Sequence, residues 1–225
     1  MEIVIVRHGE PEWSRNSVSV ADPPLTQRGA RQAVAVARRL ADDGNFDELI
    51  VSPAIRCQQT AAPLAEALGL EPVTVDDLVE IKTPIVDGMP TVDVERRFRE
   101  ARFRPPEEWW SGLLDGEPFG EFHRRVTAAM DRLLAERGVT SVGHDGLWSE
   151  GGDERRILLV GHSGTNSVII THLLGLEPRP WEWERFVSNH ASVGRLALVR
   201  LSTACVFALR GANGVSHLIP ADRTW

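Results

Sequence analysis

Four short apolar runs constrain this chain more than any other feature. They are "EIVIVR" from residue 2, "DELIV" at 47–51, "EPVTV" at 71–75 and "RILLVG" at 156–161. Each is too short for a stable helix and is bounded by turn-forming or polar residues, which predicts strands, the first of them buried. Between them the apolar period changes to that of a helix. Thr26 reads as an N-cap, followed by Ala30, Ala33, Val34, Ala37 and Leu40 on one stripe, and Gly44 as a stop. Ser52 reads as the cap of a second helix that ends near Gly69, with Pro63 expected to kink or split it. Residues 92–103 look helical. Phe119, Phe122, Val126, Met130, Leu133 and Leu134 mark another helix, and "HSGTNSVIITHLLG" opens one more. "GRLALVRL" and "CVFALR" read as two closing strands.

Strands alternating with helices predict an α/β fold. We expect a three-layer α/β/α sandwich with a mostly parallel central sheet. The 225 residues suit a single domain, 1–225, with small insertions. The Gly-rich, acidic stretch at 141–155 is expected to be an exposed excursion, more decoration than flap.

Charge narrows the choice of partner. The net charge of -7 argues against a surface that coats nucleic acid, so any anion site must be a local basic pocket. No apolar run reaches 18 residues, which predicts no membrane span. Nor does a signal-like segment precede the first strand, so a cytoplasmic location is expected. Cys57 and Cys205 lack metal spacing and read as buried filler. His123, His144, His172, His190 and His217 form no metal pattern, so neither a metal nor a cofactor is expected. Trp181 and Trp183 read as packing residues.

In sheets of this kind ligands bind beyond the carboxyl ends of the strands. Arg7, His8 and Gly9 follow the first strand. Ser52, Pro53 and, a turn later, Arg56 follow the second. Glu80 comes after the third, with Asp76, Asp77 and Asp87 as rival carboxylates. His162, Ser163 and Gly164 follow the fourth. Two guanidiniums and a helix N-terminus at one edge describe a pocket for a phosphoryl group. A neutral histidine within it can act as a nucleophile, and a carboxyl at its mouth as a proton donor.

These segments in this order, "VRHGE", "VSPAIRCQQTA", a glutamate after the third strand and "LLVGHSG", resemble the histidine phosphatase superfamily, also called phosphoglycerate mutase-like. "PLTQRG" and "GEPFGEFHRRV" match in kind and order. The resemblance spans about Ile3 to Leu201. It implies that His8 becomes a phosphohistidine, that Arg7, Arg56 and His162 bind the phosphoryl group, and that Glu80 donates the proton. Ser163, beside His162, joins the expected phosphate pocket. Many members carry an asparagine where this chain has Ser14. A serine hydroxyl can still donate, so Ser14 is a candidate phosphate ligand, with Asn16 as its alternative. The resemblance also implies a cap built from insertions, here residues 10–22 and 81–118. Specificity is expected there, with Trp13, Arg15, Trp109 and Trp110 as candidates.

The expected activity is metal-independent hydrolysis of a small phosphate monoester. The alternative is a phosphoglycerate mutase. Mutases of the family typically carry Tyr-Gly after the acid, and this chain has no tyrosine. A non-catalytic binder of a phosphorylated ligand is the third reading. Oligomeric state is not legible in the sequence.

Overall fold

In the computed structural model, all residues are described except 84, 85, 114, 144, 145, 150, 152 and 153. Ten strands and six α-helices run in chain order among the described residues. The strands are β1 (Glu2–Arg7), β2 (Ser14–Arg15), β3 (Val18–Ser19), β4 (Glu48–Val51), β5 (Pro72–Thr74), β6 (Ser141–Val142), β7 (Leu147–Trp148), β8 (Arg156–Gly161), β9 (Val193–Leu201) and β10 (Ala204–Gly214). The helices are α1 (Gln27–Ala41), α2 (Ile55–Leu68), α3 (Thr91–Arg102), α4 (Phe119–Ala135), α5 (Ser163–Leu173) and the single turn α6 (Glu182–Arg185).

The central sheet has the order β5-β4-β8-β1-β9-β10-β7-β6. From β5 to β1 the strands are parallel, whereas β1-β9, β9-β10, β10-β7 and β7-β6 are antiparallel. The sheet is therefore mixed, and its parallel half is the one in which helical crossovers join the strands. β9 and β10 are separated by only two residues and can pair only as a hairpin.

Strand residues alternate between two cores. Val4, Val6, Leu49, Val51, Leu158 and Val160 meet Val36, Leu40, Ala61 and Leu64 of α1 and α2. Ile3, Ile5, Ile50, Ile157 and Leu159 meet Phe122, Val126, Met130 and Ile169 of α4 and α5. Burial on both faces explains the near-continuous apolar runs and gives the expected three-layer α/β/α sandwich.

Some local expectations change. Pro63 neither splits α2 nor ends it. Cys57, Ala61 and Leu64 pack on the sheet on both sides of it, and that burial outweighs one missing backbone hydrogen bond. Ser52 does not cap α2. The helix begins at Ile55, whose N–H is accepted by the Asp22 carboxylate. The excursion at 141–155 contains the β6–β7 hairpin, which extends the antiparallel edge of the sheet. There Trp148 is buried, pairs with Cys205 and donates its indole N–H to the Leu173 carbonyl. Five residues of that excursion (144, 145, 150, 152 and 153) lie outside the described residues, as do 84, 85 and 114 of the expected cap. No helix is long and apolar enough to cross a membrane among the described residues.

Candidate active site

Register brings the central residues together. β4, β8 and β1 lie side by side, with Arg7 opposite Gly161 and Val51 opposite Val160. Hence His8, His162 and Ser52 leave the sheet next to one another. The rings of His8 and His162 meet edge-on at 5.3 Å, and both are buried. Gly9 belongs to this register too. A Cβ there would lie 2.6 Å from the Gly29 carbonyl oxygen, so only glycine lets the loop close against α1. The Gly9 N–H donates to Thr60 Oγ1, which in turn donates to the Arg56 carbonyl of α2.

Hydrogen bonds set the histidine tautomers. His8 Nδ1 lies 2.8 Å from the Gly9 carbonyl oxygen. A carbonyl only accepts, so Nδ1 carries the proton and Nε2 keeps its lone pair. Burial, followed by its neighbours His162, Arg7 and Arg56, holds the His8 pKa well below its ordinary value. His162 has the opposite tautomer. Arg56 donates to its Nδ1 at 3.0 Å, so its Nε2 donates to Ser52 Oγ at 2.7 Å. Burial and then Arg56 and Arg7 hold His162 neutral as well.

Both arginines are anchored from behind. Arg7 donates to the Ser188 carbonyl and, at 3.1 Å, to His190 Nε2. His190 therefore carries its proton on Nδ1 and donates it to Thr224 Oγ1 at 2.9 Å. Gln32 of α1 also donates to Thr224 Oγ1, while its side-chain oxygen accepts from the Glu10 N–H. Burial pushes the His190 pKa down to about 3, and that of Arg7 down to about 10. Arg56 donates to Asp22 at 3.2 Å, and its guanidinium lies over the Trp13 ring at 5.0 Å. The Nε atoms of Arg7 and Arg56 are buried without a hydrogen-bond partner, a costly state for a cationic donor.

Glu80 sits at the start of α5. Its carboxylate accepts from the Gly164 N–H at 2.8 Å and the Thr165 N–H at 3.1 Å. A carboxylate at a helix N-terminus is favourable. It also means that these N–H groups serve Glu80, a correction to the expectation that they point at a bound anion. A Cβ on Gly164 would lie 2.5 Å from Glu80 Oε1, which makes glycine necessary. Arg125 of α4 holds the loop by donating to the Asp77, Val79 and Glu80 carbonyls, and it pairs with Glu117.

A cavity of about 920 Å³ opens beside this centre, and Arg7, His8 and His162 are not among its lining residues. Arg56, Glu80, Ser163 and Gly164 line it on the protein body, and Trp13, Asp22, Phe98 and Trp183 line its outer parts. The three rival carboxylates do not line it. Asp77 pairs with Arg132, Asp87 accepts from the Ala21 N–H, and Asp76 starts a 3₁₀ turn.

Five cap candidates are not brought to the cavity either. Ser14 is exposed on the β2–β3 hairpin with its hydroxyl 2.6 Å from that of Thr91. Asn16 occupies the turn of that hairpin at φ 53°, where a positive φ suits asparagine. Arg15 is exposed and pairs with Glu12. Trp109 stacks on Trp183, and Trp110 meets Phe119 edge-on, so this pair fastens the cap to the body. Conversely, reading the sequence missed Asp22, Ser52, Arg125, Trp183 and His190. The Asp22 signal was the "ADPPLT" loop, whose carboxylate precedes two prolines. The others depend on contacts between distant segments.

The profile of the histidine phosphatase superfamily (branch 1) matches residues 3–206. The chain belongs to the histidine phosphatase superfamily. Among relatives of this superfamily, a probable phosphoglycerate mutase of Yersinia enterocolitica is 32% identical over 183 residues, covering 79% of this chain and 77% of that protein. A probable phosphoglycerate mutase of Yersinia pestis is 34% identical over 139 residues, or 60% of this chain and 63% of that one. Solved structures share the fold. A mycobacterial glucosyl-3-phosphoglycerate phosphatase superposes with a TM-score of 0.73 at 22% identity, covering 95% of this chain and 99% of its own. The α-ribazole phosphatase of Shigella flexneri gives 0.67 at 23% identity, covering 96% and 100%.

Proposed function

We propose that this protein is a metal-independent phosphatase that hydrolyses a small phosphate monoester through a phosphohistidine on His8. The observation that carries this reading is the bond between His8 Nδ1 and the Gly9 carbonyl. It holds a neutral imidazole with Nε2 unprotonated among cations, the form that a nucleophile needs.

In the first step Nε2 attacks phosphorus and the bond from phosphorus to the ester oxygen breaks. Glu80, as a carboxylic acid, gives its proton to the leaving oxygen. In the second step water attacks the phosphohistidine and the P–N bond breaks. The water's proton passes to Glu80, so orthophosphate leaves and the acid is restored. Arg7 and Arg56 stabilise the charge on the transferring group. His162 serves here as the anchor of Arg56, since both its ring nitrogens are engaged. The arginines supply the charge stabilisation, so the reaction calls for no metal. No cluster of metal-ligating side chains exists among the described residues.

Two features support hydrolysis over the mutase reaction. The chain lacks the Tyr-Gly that the family's mutases typically carry. The cavity also bears Asp22 and Glu95 against Arg56 and Lys82, which leaves no surplus of cations for a substrate with a second anionic group. The decisive experiment incubates the protein with a ³²P-labelled ester, then quenches it in alkali. Label on His8 together with released orthophosphate supports the reading. Label transferred to 2-phosphoglycerate without net phosphate release supports a mutase, and no label refutes both.

A further inference from the structure

The cavity is large and apolar for the headgroup it serves. At about 920 Å³ it lies near the top of the range that encloses drug-sized ligands. A phosphoryl group and a three-carbon acid would leave most of it to water. Beyond Arg56 and Glu80 its walls are Trp13, Val86, Val94, Phe98, Leu113 and Trp183. Trp13 and Phe98 are 46% and 39% exposed, yet they converge on the same space. Large apolar side chains held at a concave, solvent-facing site mark ligand contact surface.

The charges there point the same way. Asp22 already serves Arg56 and the start of α2, and Glu80 the start of α5. Glu95 adds a carboxylate on α3, and Lys82 is the one further cation lining the cavity among the described residues. With Arg56 engaged by Asp22 and by the transferring phosphoryl group, a second phosphate or carboxylate on the substrate would meet Glu95 with Lys82 as its single counter-charge.

We propose that the substrate is the phosphate monoester of a bulky apolar alcohol with no second anionic group. Its phosphate would meet Arg56 and the buried centre, and its body would fill the space between Trp13, Phe98 and Trp183. This rests on the phosphatase reading above.

The test compares monoesters of primary alcohols, so that leaving groups match: 2-phenylethyl, cyclohexylmethyl and hexyl phosphate against glycerol 3-phosphate, with 3-phosphoglycerate as the control that carries a second anionic group. We expect kcat/KM for the apolar esters to exceed the others at least about tenfold, carried mainly by KM. Phe98→Ala, which removes a partly exposed ring, should raise KM for 2-phenylethyl phosphate about tenfold and leave glycerol 3-phosphate within about twofold. Glu95→Gln should improve 3-phosphoglycerate selectively. Turnover that prefers 3-phosphoglycerate or glycerol 3-phosphate overturns this inference alone, as does a Phe98→Ala effect equal on all esters. No orthophosphate from any ester overturns the phosphatase reading itself.

Discussion

The floor of the site and its cap are built by different rules. On the floor, His8, Arg56 and His162 are at most 5% exposed; the His8 ring is held by the adjacent Gly9 carbonyl, and Arg56 and His162 hold each other. In the cap, Trp13, Phe98 and Trp110 remain between 39% and 46% exposed, and α3 starts without a side-chain cap. A buried polar group tolerates no loss of a partner, whereas a half-exposed apolar ring can be exchanged cheaply. On the phosphatase reading proposed above, the floor is the part that does chemistry, and the cap the part that varies with substrate.

Substitutions can break this contrast. The largest effect is expected from His8→Ala, which should lower phosphate release by at least about 10⁴-fold with the fold intact by circular dichroism. Retained turnover would remove the nucleophile from the floor. Glu80→Gln should cost about 10²- to 10⁴-fold. The loss should be greatest for alkyl esters, which leave poorly, and smallest for 4-nitrophenyl phosphate. If Asp22→Asn shows that leaving-group dependence instead, the acid is misassigned.

His190 tests whether the floor extends to the C-terminal segment. Because its ring is neutral, it anchors Arg7 without cancelling the arginine's charge. His190→Ala should raise KM about tenfold and destabilise the protein by about 1–3 kcal/mol, since Arg7 loses a buried partner. His190→Gln, whose side-chain oxygen can accept from Arg7, should restore most of both. Equal damage from both variants would mean packing alone.

The same histidines fix the direction of the pH dependence. His8, His162 and His190 have folded pKa values below the ordinary 6.5, so between that value and the folded value the unfolded chain binds more protons. Stability is thus full above about pH 6.5 and falls as pH drops, each ring adding a slope that approaches about 1.4 kcal/mol per unit. For His190 the window runs down to about 3. Urea titrations at pH 7, 6 and 5 should show this loss, and His190→Gln should flatten it. A stability independent of pH in this range would contradict three neutral rings. The smallest effect belongs to the cap: Ser14→Ala should change kcat/KM by less than about twofold, because its hydroxyl meets Thr91. A larger loss would place the serine at the phosphate after all.

Reading the sequence reached the floor more easily than the cap. β1, β4 and β8 are covered on both faces, so their apolar runs are unmistakable, and the residues after them must emerge at one edge. His8, Arg56 and His162 follow these strands, whereas Glu80 follows β5, whose residues are exposed. Ser52 reads as a helix cap because Ser-Pro before a helix is a strong local signal. Its hydroxyl instead meets His162, 110 residues away in sequence. Trp109 and Trp110 drew attention as a pair, while Trp183 reached the cavity from α6. His190 stood in no motif, because its partners Arg7 and Thr224 come from opposite ends of the chain.

The sequence by itself determined the α/β class, the parallel strands that carry the site and the chemistry at their ends. Periodicity and turn residues act over a few positions, and those features are local. Tertiary structure alone decided which tautomer each histidine holds, which carboxylate faces the cavity and which aromatic rings line it. Those outcomes depend on contacts between segments far apart in the chain, where a shift of a few ångströms exchanges one hydrogen-bond partner for another.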